Sequence, residues 1–93
     1  MTLSARPTPN PDALMFRIDG ATAIPSGLLA FHSMAEAAEH PLGADLFALG
    51  GVASVLVVPA FVTVTKRPET DWNPLAADVE RVLTAWLAGR AEP

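Results

Sequence analysis

The stretch from Gly50 to Lys66 reads GGVASVLVVPAFVTVTK, and it decides the fold class of this chain. Val, Phe and Thr dominate it, and these β-branched and aromatic residues favour strands. Pro59 and Ala60 interrupt the run in its middle, as a tight turn does. The pattern therefore predicts one β-hairpin over residues 51–66. Because its first arm, Val52–Val58, is apolar almost throughout, we expect a central strand covered on both faces, or one face covered by a partner.

Two further strands are predicted before the hairpin. Ala13–Asp19 alternates so that every second side chain is apolar and faces one side, as in a half-buried strand. A weaker strand lies within Ala21–Phe31, which Pro25-Ser26-Gly27 interrupts. Pro7–Pro11 cannot be helical, because each proline pushes the residue before it towards extended geometry. We expect Met1–Arg6 to be a disordered or extended lead-in.

Helical patterns lie on both sides of the hairpin. The first helix begins at Pro41, which suits an opening helical turn, and ends at Gly50-Gly51. Ser33–His40, rich in Ala and Glu, is expected to form a helical turn or two before it. The last helix has the clearest apolar stripe, whose residues are spaced by three and four: Trp72, Leu75, Val79, Val82 and Trp86. Leu83 and Leu87 widen this stripe. Both tryptophans lie on this stripe, which favours core packing over a ligand stack.

The order of these elements predicts a compact α+β fold in a single domain over residues 1–93. A chain of 93 residues has the size of one small domain, and its hydrophobic fraction of 51% is sufficient for a core without disulfides. The chain has no Cys, which excludes a disulfide framework and any cysteine-held zinc or iron–sulfur centre within it.

Charge and hydropathy narrow the class of function. The net charge of -4, with scattered basic residues, argues against nonspecific nucleic-acid binding. The longest apolar run, around Val52–Val64, is too short to span a bilayer and contains a proline. The first residues lack the apolar core of a signal peptide. We therefore expect a soluble, cytoplasmic protein with no nucleic-acid or membrane partner.

Four motifs in this order resemble the Nfu/NifU-like N-terminal domain, over about residues 7 to 88. Thr8–Phe16 corresponds to the family pattern TPNPxxLKF, and His40–Phe47 corresponds to SPLAxxLF. Gly51-Val52 together with Phe61–Lys66 corresponds to GV…FITVTK, and Asp71–Leu75 corresponds to DWxxL. Two positions depart from the family: Met15 stands where Lys is usual, and Ala60 where the turn commonly has Gly or Asp.

The resemblance implies a two-layer ββαββα domain, ordered over about residues 7–88, with a four-stranded antiparallel sheet and two helices. It also implies a role in iron–sulfur cluster biogenesis. In the family this domain commonly precedes a second domain with a CxxC cluster-binding motif. That motif does not occur in this sequence, so we expect a stand-alone domain that carries no cluster by cysteine ligation and needs no cofactor.

The sequence predicts a candidate partner-binding set in two segments of the chain: Thr8, Asn10, Phe61, Thr63, Thr65 and Lys66. A purely structural interpretation competes with it. Thr and Asn order proline-rich turns through side-chain to backbone hydrogen bonds, and threonines are common on strand surfaces. The expected function is that of a non-enzymatic protein-interaction domain associated with iron–sulfur cluster assembly. Its expected contact surface is an exposed strand edge or the uncovered face of the sheet, and a weak homodimer could form through a strand edge.

Two alternatives stay open at this level. His32, Glu36 and His40 are spaced by four residues, so a continuous helix would present them on one face as ligands for iron or another metal. The competing interpretation is a polar surface turn between a strand and a helix. The other alternative is a small-ligand-binding domain. An enzyme is not expected, because Ser33 beside His32 is a chance pairing by default and no glycine-rich phosphate loop is present.

Overall fold

The computed structural model describes residues 2–90, and it consists of one antiparallel sheet with helices on one of its faces. Five strands lie in the order β1-β2-β5-β4-β3. Their bounds are Thr2–Pro7 (β1), Ala13–Asp19 (β2), Leu29–Phe31 (β3), Val52–Val58 (β4) and Phe61–Lys66 (β5). The helices are Met34–Ala37 (α1), Pro41–Phe47 (α2) and Trp72–Arg90 (α3). None of these helices combines the length and apolar character that crossing a bilayer requires.

The predicted hairpin is confirmed. Val58 pairs with Phe61 across a two-residue turn, Pro59-Ala60. The turn also anchors the chain that follows β2, because the carbonyl oxygen of Pro59 accepts a hydrogen bond from Ala23 N at 3.0 Å. β4 is an interior strand between β5 and β3, as its apolar sequence suggests. Its two faces differ, however: Val55 and Val57 are buried, whereas the alternating residues are only half-buried.

The prediction of a four-stranded sheet is wrong, because the first residues form a fifth strand. β1 pairs antiparallel with β2 along its whole length, from Thr2 opposite Asp19 to Pro7 opposite Leu14. Pro7 is tolerated there because β1 is an edge strand and its last residue need not donate to the sheet. The weaker strand predicted within residues 21–31 shortens to three residues, Leu29–Phe31.

The helix count also differs from the two predicted. Ser33–His40 contains a separate short helix, α1, whose N-cap is Ser33: its side chain accepts the N–H of Glu36. α2 begins at Pro41, as expected. In α3 the backbone of Asn73 is extended (φ -102, ψ 112), so regular helical geometry continues only after it.

A single core lies between the helices and one sheet face. On α3 the fully buried residues follow a four-residue spacing, and the two tryptophans flank them half-buried. Trp86 Nε1 donates to Ala23 O at 2.8 Å, which ties α3 to the loop after β2. The core is built mainly from β2, β4, β5 and two helices: Phe16, Ile18, Val55, Val57, Val62, Val64, Leu42, Leu46, Leu75, Val79, Leu83 and Leu87. Within residues 2–90, this packing leaves the opposite sheet face without a helical layer.

Candidate functional site

The sheet face away from the helices is the candidate functional site, and we call it the open face. Side chains alternate between the two faces along each strand of a pleated sheet. The residues next to a buried residue in the same strand therefore point away from the core, onto the open face. Its central side chains are all half-buried, and they come from three adjacent strands: Met15, Leu56, Val58, Phe61, Thr63 and Thr65.

Two cross-strand rows make up the open face. In one row Thr63 of β5 lies opposite both Met15 of β2 and Leu56 of β4. In the next row Phe61 lies between Arg17 and Val58. Directly opposite side chains in an antiparallel sheet are close enough to touch, so these residues form a contiguous surface with an apolar centre.

The charge on the open face differs from that on the helical layer. Arg6, opposite Met15 in the register, and Arg17 both project from this face, and Arg17 Nε lies 3.8 Å from Asp19 Oδ1 in an exposed pair. The helices and the turn after α1 are mainly acidic: Glu36, Glu39, Asp45, Asp78 and Glu80. A chain of net charge -4 therefore keeps arginines beside its uncovered apolar surface.

Thr8 and Asn10 lie in the loop between β1 and β2, where their side chains bond to the backbone. Thr8 Oγ1 accepts the N–H of Asn10 at 3.1 Å and lies 3.0 Å from Ala13 O, to which it can donate. Asn10 Oδ1 accepts the N–H of Asp12 at 2.9 Å. These are the turn-ordering bonds that the structural interpretation of the sequence requires.

Lys66 ties the same loop to the end of β5. Its Nζ lies 2.9 Å from Asp12 Oδ1, and its backbone N–H donates to Asp12 O at 2.7 Å. The Lys66 side chain is buried, so this cation is enclosed and does not project from the surface. Trp72 Nε1 also holds the loop, by donating to Pro11 O at 3.1 Å.

The six predicted partner-binding residues thus fall in two places. Phe61, Thr63 and Thr65 lie on the open face, whereas Thr8, Asn10 and Lys66 hold the loop before β2. The prediction did not include the open-face residues Met15, Leu56 and Val58. The period-two alternation of β4 and β2 carries the signal that could have found them, once the strand order is known.

The metal-site hypothesis for His32, Glu36 and His40 is wrong about their shared face. α1 ends at Ala37, so no continuous helix joins the three residues. His32 Nδ1 lies 3.6 Å from Glu36 Oε1, but His40 caps α2, where its Nδ1 accepts the N–H of Leu42 at 3.2 Å. Within residues 2–90 no group of three His, Cys, Asp or Glu residues is arranged to hold a metal ion.

Three surface clefts of the described residues have volumes between about 260 and 390 Å³. One cleft has a volume of about 390 Å³ and is lined by Asp45, Arg81 and Trp86 among others. That is near the lower end of the range for small-molecule sites, which starts at about 300 Å³. No nucleophile with an adjacent base lines it, so the open face remains the better candidate for function.

Comparison with known proteins gives the family. The model described as "Scaffold protein Nfu/NifU N terminal" matches residues 3–89. The chain is 37% identical over 89 residues to the human mitochondrial NFU1 iron-sulfur cluster scaffold homolog, covering 95% of this chain and 35% of that protein. It is 35% identical over 83 residues to the mitochondrial NifU-like protein 5 of Arabidopsis thaliana, covering 89% of this chain and 30% of that protein.

Solved structures agree with the sequence comparison. The solution NMR structure of a NifU-like protein from Saccharomyces cerevisiae matches with a TM-score of 0.81 and 26% identity, covering 95% of this chain and 79% of that chain. The crystal structure of protein SAV1430 from Staphylococcus aureus matches with a TM-score of 0.70 and 21% identity, covering 88% of this chain and 98% of that one; this likeness concerns the fold alone. The chain spans about a third of the length of the curated relatives it matches. It belongs to the scaffold protein Nfu/NifU N-terminal family.

Proposed function

We propose that this chain is a non-enzymatic accessory domain that docks a protein component of iron–sulfur cluster assembly on its open face. One observation carries the proposal: half-buried Phe61 lies beside other apolar side chains on a sheet face that no described helix covers. Antiparallel sheets tolerate one solvated face when it is polar, but Leu56, Val58 and Met15 beside Phe61 are apolar. Apolar surface of this kind is typical of a protein interface.

The chemistry of the partner follows from the family and from the charges. The curated relatives are named as cluster scaffold or NifU-like proteins. This chain has no cysteine, so thiolate ligands for a cluster would come from the partner or from another domain. Arg6 and Arg17 border the apolar centre, which favours a partner surface with apolar residues at its centre and carboxylates at its rim.

The test is site-directed photo-crosslinking of the native protein in its own cells. A photoreactive phenylalanine analogue replaces Phe61, and the same analogue at the exposed Thr84 on α3 serves as the matched control. The expected result is crosslinking from position 61 to a cluster-assembly protein, which mass spectrometry identifies, and none from position 84. Crosslinking to unrelated proteins, or equal yields from both positions, would contradict the proposal.

A binding measurement with the captured protein completes the test. Phe61→Asp places a charge among the apolar side chains and should weaken binding about thirtyfold or more, since central aromatic residues often account for about 2 kcal/mol or more of binding energy. Thr84→Asp introduces the same charge on the helical side and should leave the affinity unchanged. Circular dichroism should show both variants folded, because neither position is fully buried.

Location and self-association belong to the same proposal. We place the chain in the cytoplasm, while the human and Arabidopsis relatives carry "mitochondrial" in their names. Cell fractionation with compartment markers tests this location.

A weak homodimer would use the outer edge of β1, which has no strand partner among residues 2–90. Sedimentation equilibrium of the native chain and of Ala5→Pro, which removes an edge N–H donor, tests that contact. Equal association of the two chains would count against it.

A further inference from the structure

The sheet has a step at the edge where β3 lies. β4 has seven residues, but β3 has three and pairs only with Val55, Leu56 and Val57. Residues 52–54 of β4 therefore have a strand neighbour on the β5 side only. The step coincides with an irregularity: Val52 pairs with Lys66 and Ser54 with Thr65, so Ala53 is an extra, bulged residue. Bulges are common beside binding and active sites, where they redirect side chains.

A cleft of about 260 Å³ occupies this step. On one side it is lined by residues 50–53, which lead into and begin β4. On the other side it is lined by His32, Ser33 and Met34, where the chain leaves β3 and enters α1. The volume is below the roughly 300 Å³ at which small-molecule pockets begin, which disfavours a cofactor and suits a few residues of extended chain.

The lining residues favour an acidic and apolar occupant. Met34 is 62% exposed and is one of two large hydrophobic residues in the described part of the chain with such exposure. Arg67 and His32 line the cleft, and no carboxylate does. Glu36 already contacts His32, through the 3.6 Å pair and a backbone hydrogen bond. The guanidinium of Arg67 makes no ion pair with any residue of 2–90, so it is the cation that an incoming carboxylate can bind.

We infer that this step is a second binding site, which takes a short extended segment of a partner protein with a carboxylate side chain next to apolar residues. The segment lies beside residues 52–54 of β4 in line with β3, so that it continues the sheet. Its carboxylate reaches Arg67 in a charge-assisted hydrogen bond, and an apolar side chain packs against Met34. This site shares no residue with the open face, so the two proposals can be tested independently of each other.

The test is NMR titration of the isotope-labelled full chain with a capped pentapeptide, acetyl-Val-Leu-Asp-Val-Leu-amide. A second peptide with Asn in place of Asp removes only the charge, and inorganic phosphate supplies an anion without a strand. The expected result is saturable movement of the amide signals of residues 32–34, 50–54 and 67 with the Asp peptide, and binding that is about tenfold weaker with the Asn peptide.

Two variants assign the interaction to the cleft. Arg67→Gln should reduce affinity for the Asp peptide about tenfold while it leaves the weak binding of the Asn peptide unchanged. Arg81→Gln, which removes an exposed arginine from α3, should change neither. Absence of localised signal movement, equal binding of both peptides, or binding of phosphate as tight as that of the Asp peptide would each overturn the inference. None of these results depends on whether a partner docks at Phe61.

Discussion

Lys66 Nζ lies 2.9 Å from Asp12 Oδ1, and this pair joins the proline-rich loop before β2 to the end of β5. The two side chains are not equally enclosed: that of Lys66 is 9% exposed and that of Asp12 is 33% exposed. The lysine thus depends on the aspartate for its charge compensation, whereas the aspartate retains access to water. In a family motif that ends with this lysine, the observed role of its side chain is to fix a loop.

The unequal enclosure predicts unequal costs of breaking the pair. Asp12→Ala leaves a buried ammonium without a carboxylate and should lower the free energy of unfolding by about 2–3 kcal/mol. Lys66→Met keeps much of the apolar stem and leaves Asp12 solvated, so it should cost about 1 kcal/mol or less. Guanidinium titration followed by circular dichroism measures both. A larger loss for Lys66→Met than for Asp12→Ala would contradict this order of costs.

Two neighbouring glycines offer a second matched comparison. Gly50 and Gly51 have φ values of +78 and +77, which L residues adopt at a cost of roughly 1–2 kcal/mol. A Cβ at position 50 would meet open space, but one at position 51 would lie 2.7 Å from Thr70 Cγ2. Gly51→Ala should therefore be less stable than Gly50→Ala by about 1–3 kcal/mol, the usual cost of overpacking.

The contact with Thr70 can be isolated by a double-mutant cycle. Thr70→Ala removes the two nearest atoms, Cγ2 and Oγ1, so it should recover part of the stability that Gly51→Ala loses. The same change should recover nothing in the Gly50→Ala background. If thermal unfolding shows equal losses for both glycine variants, the steric contribution assigned to position 51 is wrong.

The elements of the fold that could be predicted are those whose pattern lies within one continuous segment of the sequence. The hairpin and α3 have long, regular patterns, and both predictions are confirmed. β1 could not be predicted, because TLSARP has a single large apolar residue and becomes a strand only by pairing with β2. β3 has three residues, too few for alternation to be read.

The candidate site shows the same division. Phe61, Thr63 and Thr65 alternate within one strand, so a shared face could be predicted from sequence. Met15 and Leu56 join that face only through the strand order, which no local pattern contains. The burial of Lys66 could not be predicted from the sequence either, because its partner Asp12 is 54 residues away in sequence.

His40 provides a third prediction, since its side chain caps the start of α2. Its Nδ1 accepts the N–H of Leu42, and its ring lies between Trp86 and Phe31, with ring centroids at 5.4 Å and 6.1 Å. His40→Ala should cost about 1–2 kcal/mol, as the loss of an N-cap does. His40→Asn restores a capping oxygen without the ring contacts and should be of intermediate stability. If chemical denaturation gives the same stability for both variants, the ring contacts carry the whole effect and the cap contributes nothing.

The two groups of candidate residues can be separated by one isosteric change made in each. Thr8→Val removes the hydroxyl that orders the loop before β2, and it leaves the N–H of Asn10 without its acceptor. It should therefore cost about 1–2 kcal/mol of stability. Thr63→Val keeps a β-branched side chain on a half-buried strand surface, where valine is favoured, and should change the stability by about 0.5 kcal/mol or less.

Partner binding should respond in the opposite order. Thr63 lies between Met15 and Leu56 at the centre of the open face, so valine there alters the contact surface directly. Thr8→Val should leave the affinity for a captured partner unchanged at temperatures where the variant is fully folded, whereas Thr63→Val should change it measurably. Isothermal titration calorimetry at such a temperature gives the affinities, and circular dichroism gives the stabilities. If Thr8→Val weakens binding while folded and Thr63→Val has no effect, the loop before β2, and not the open face, is the docking surface.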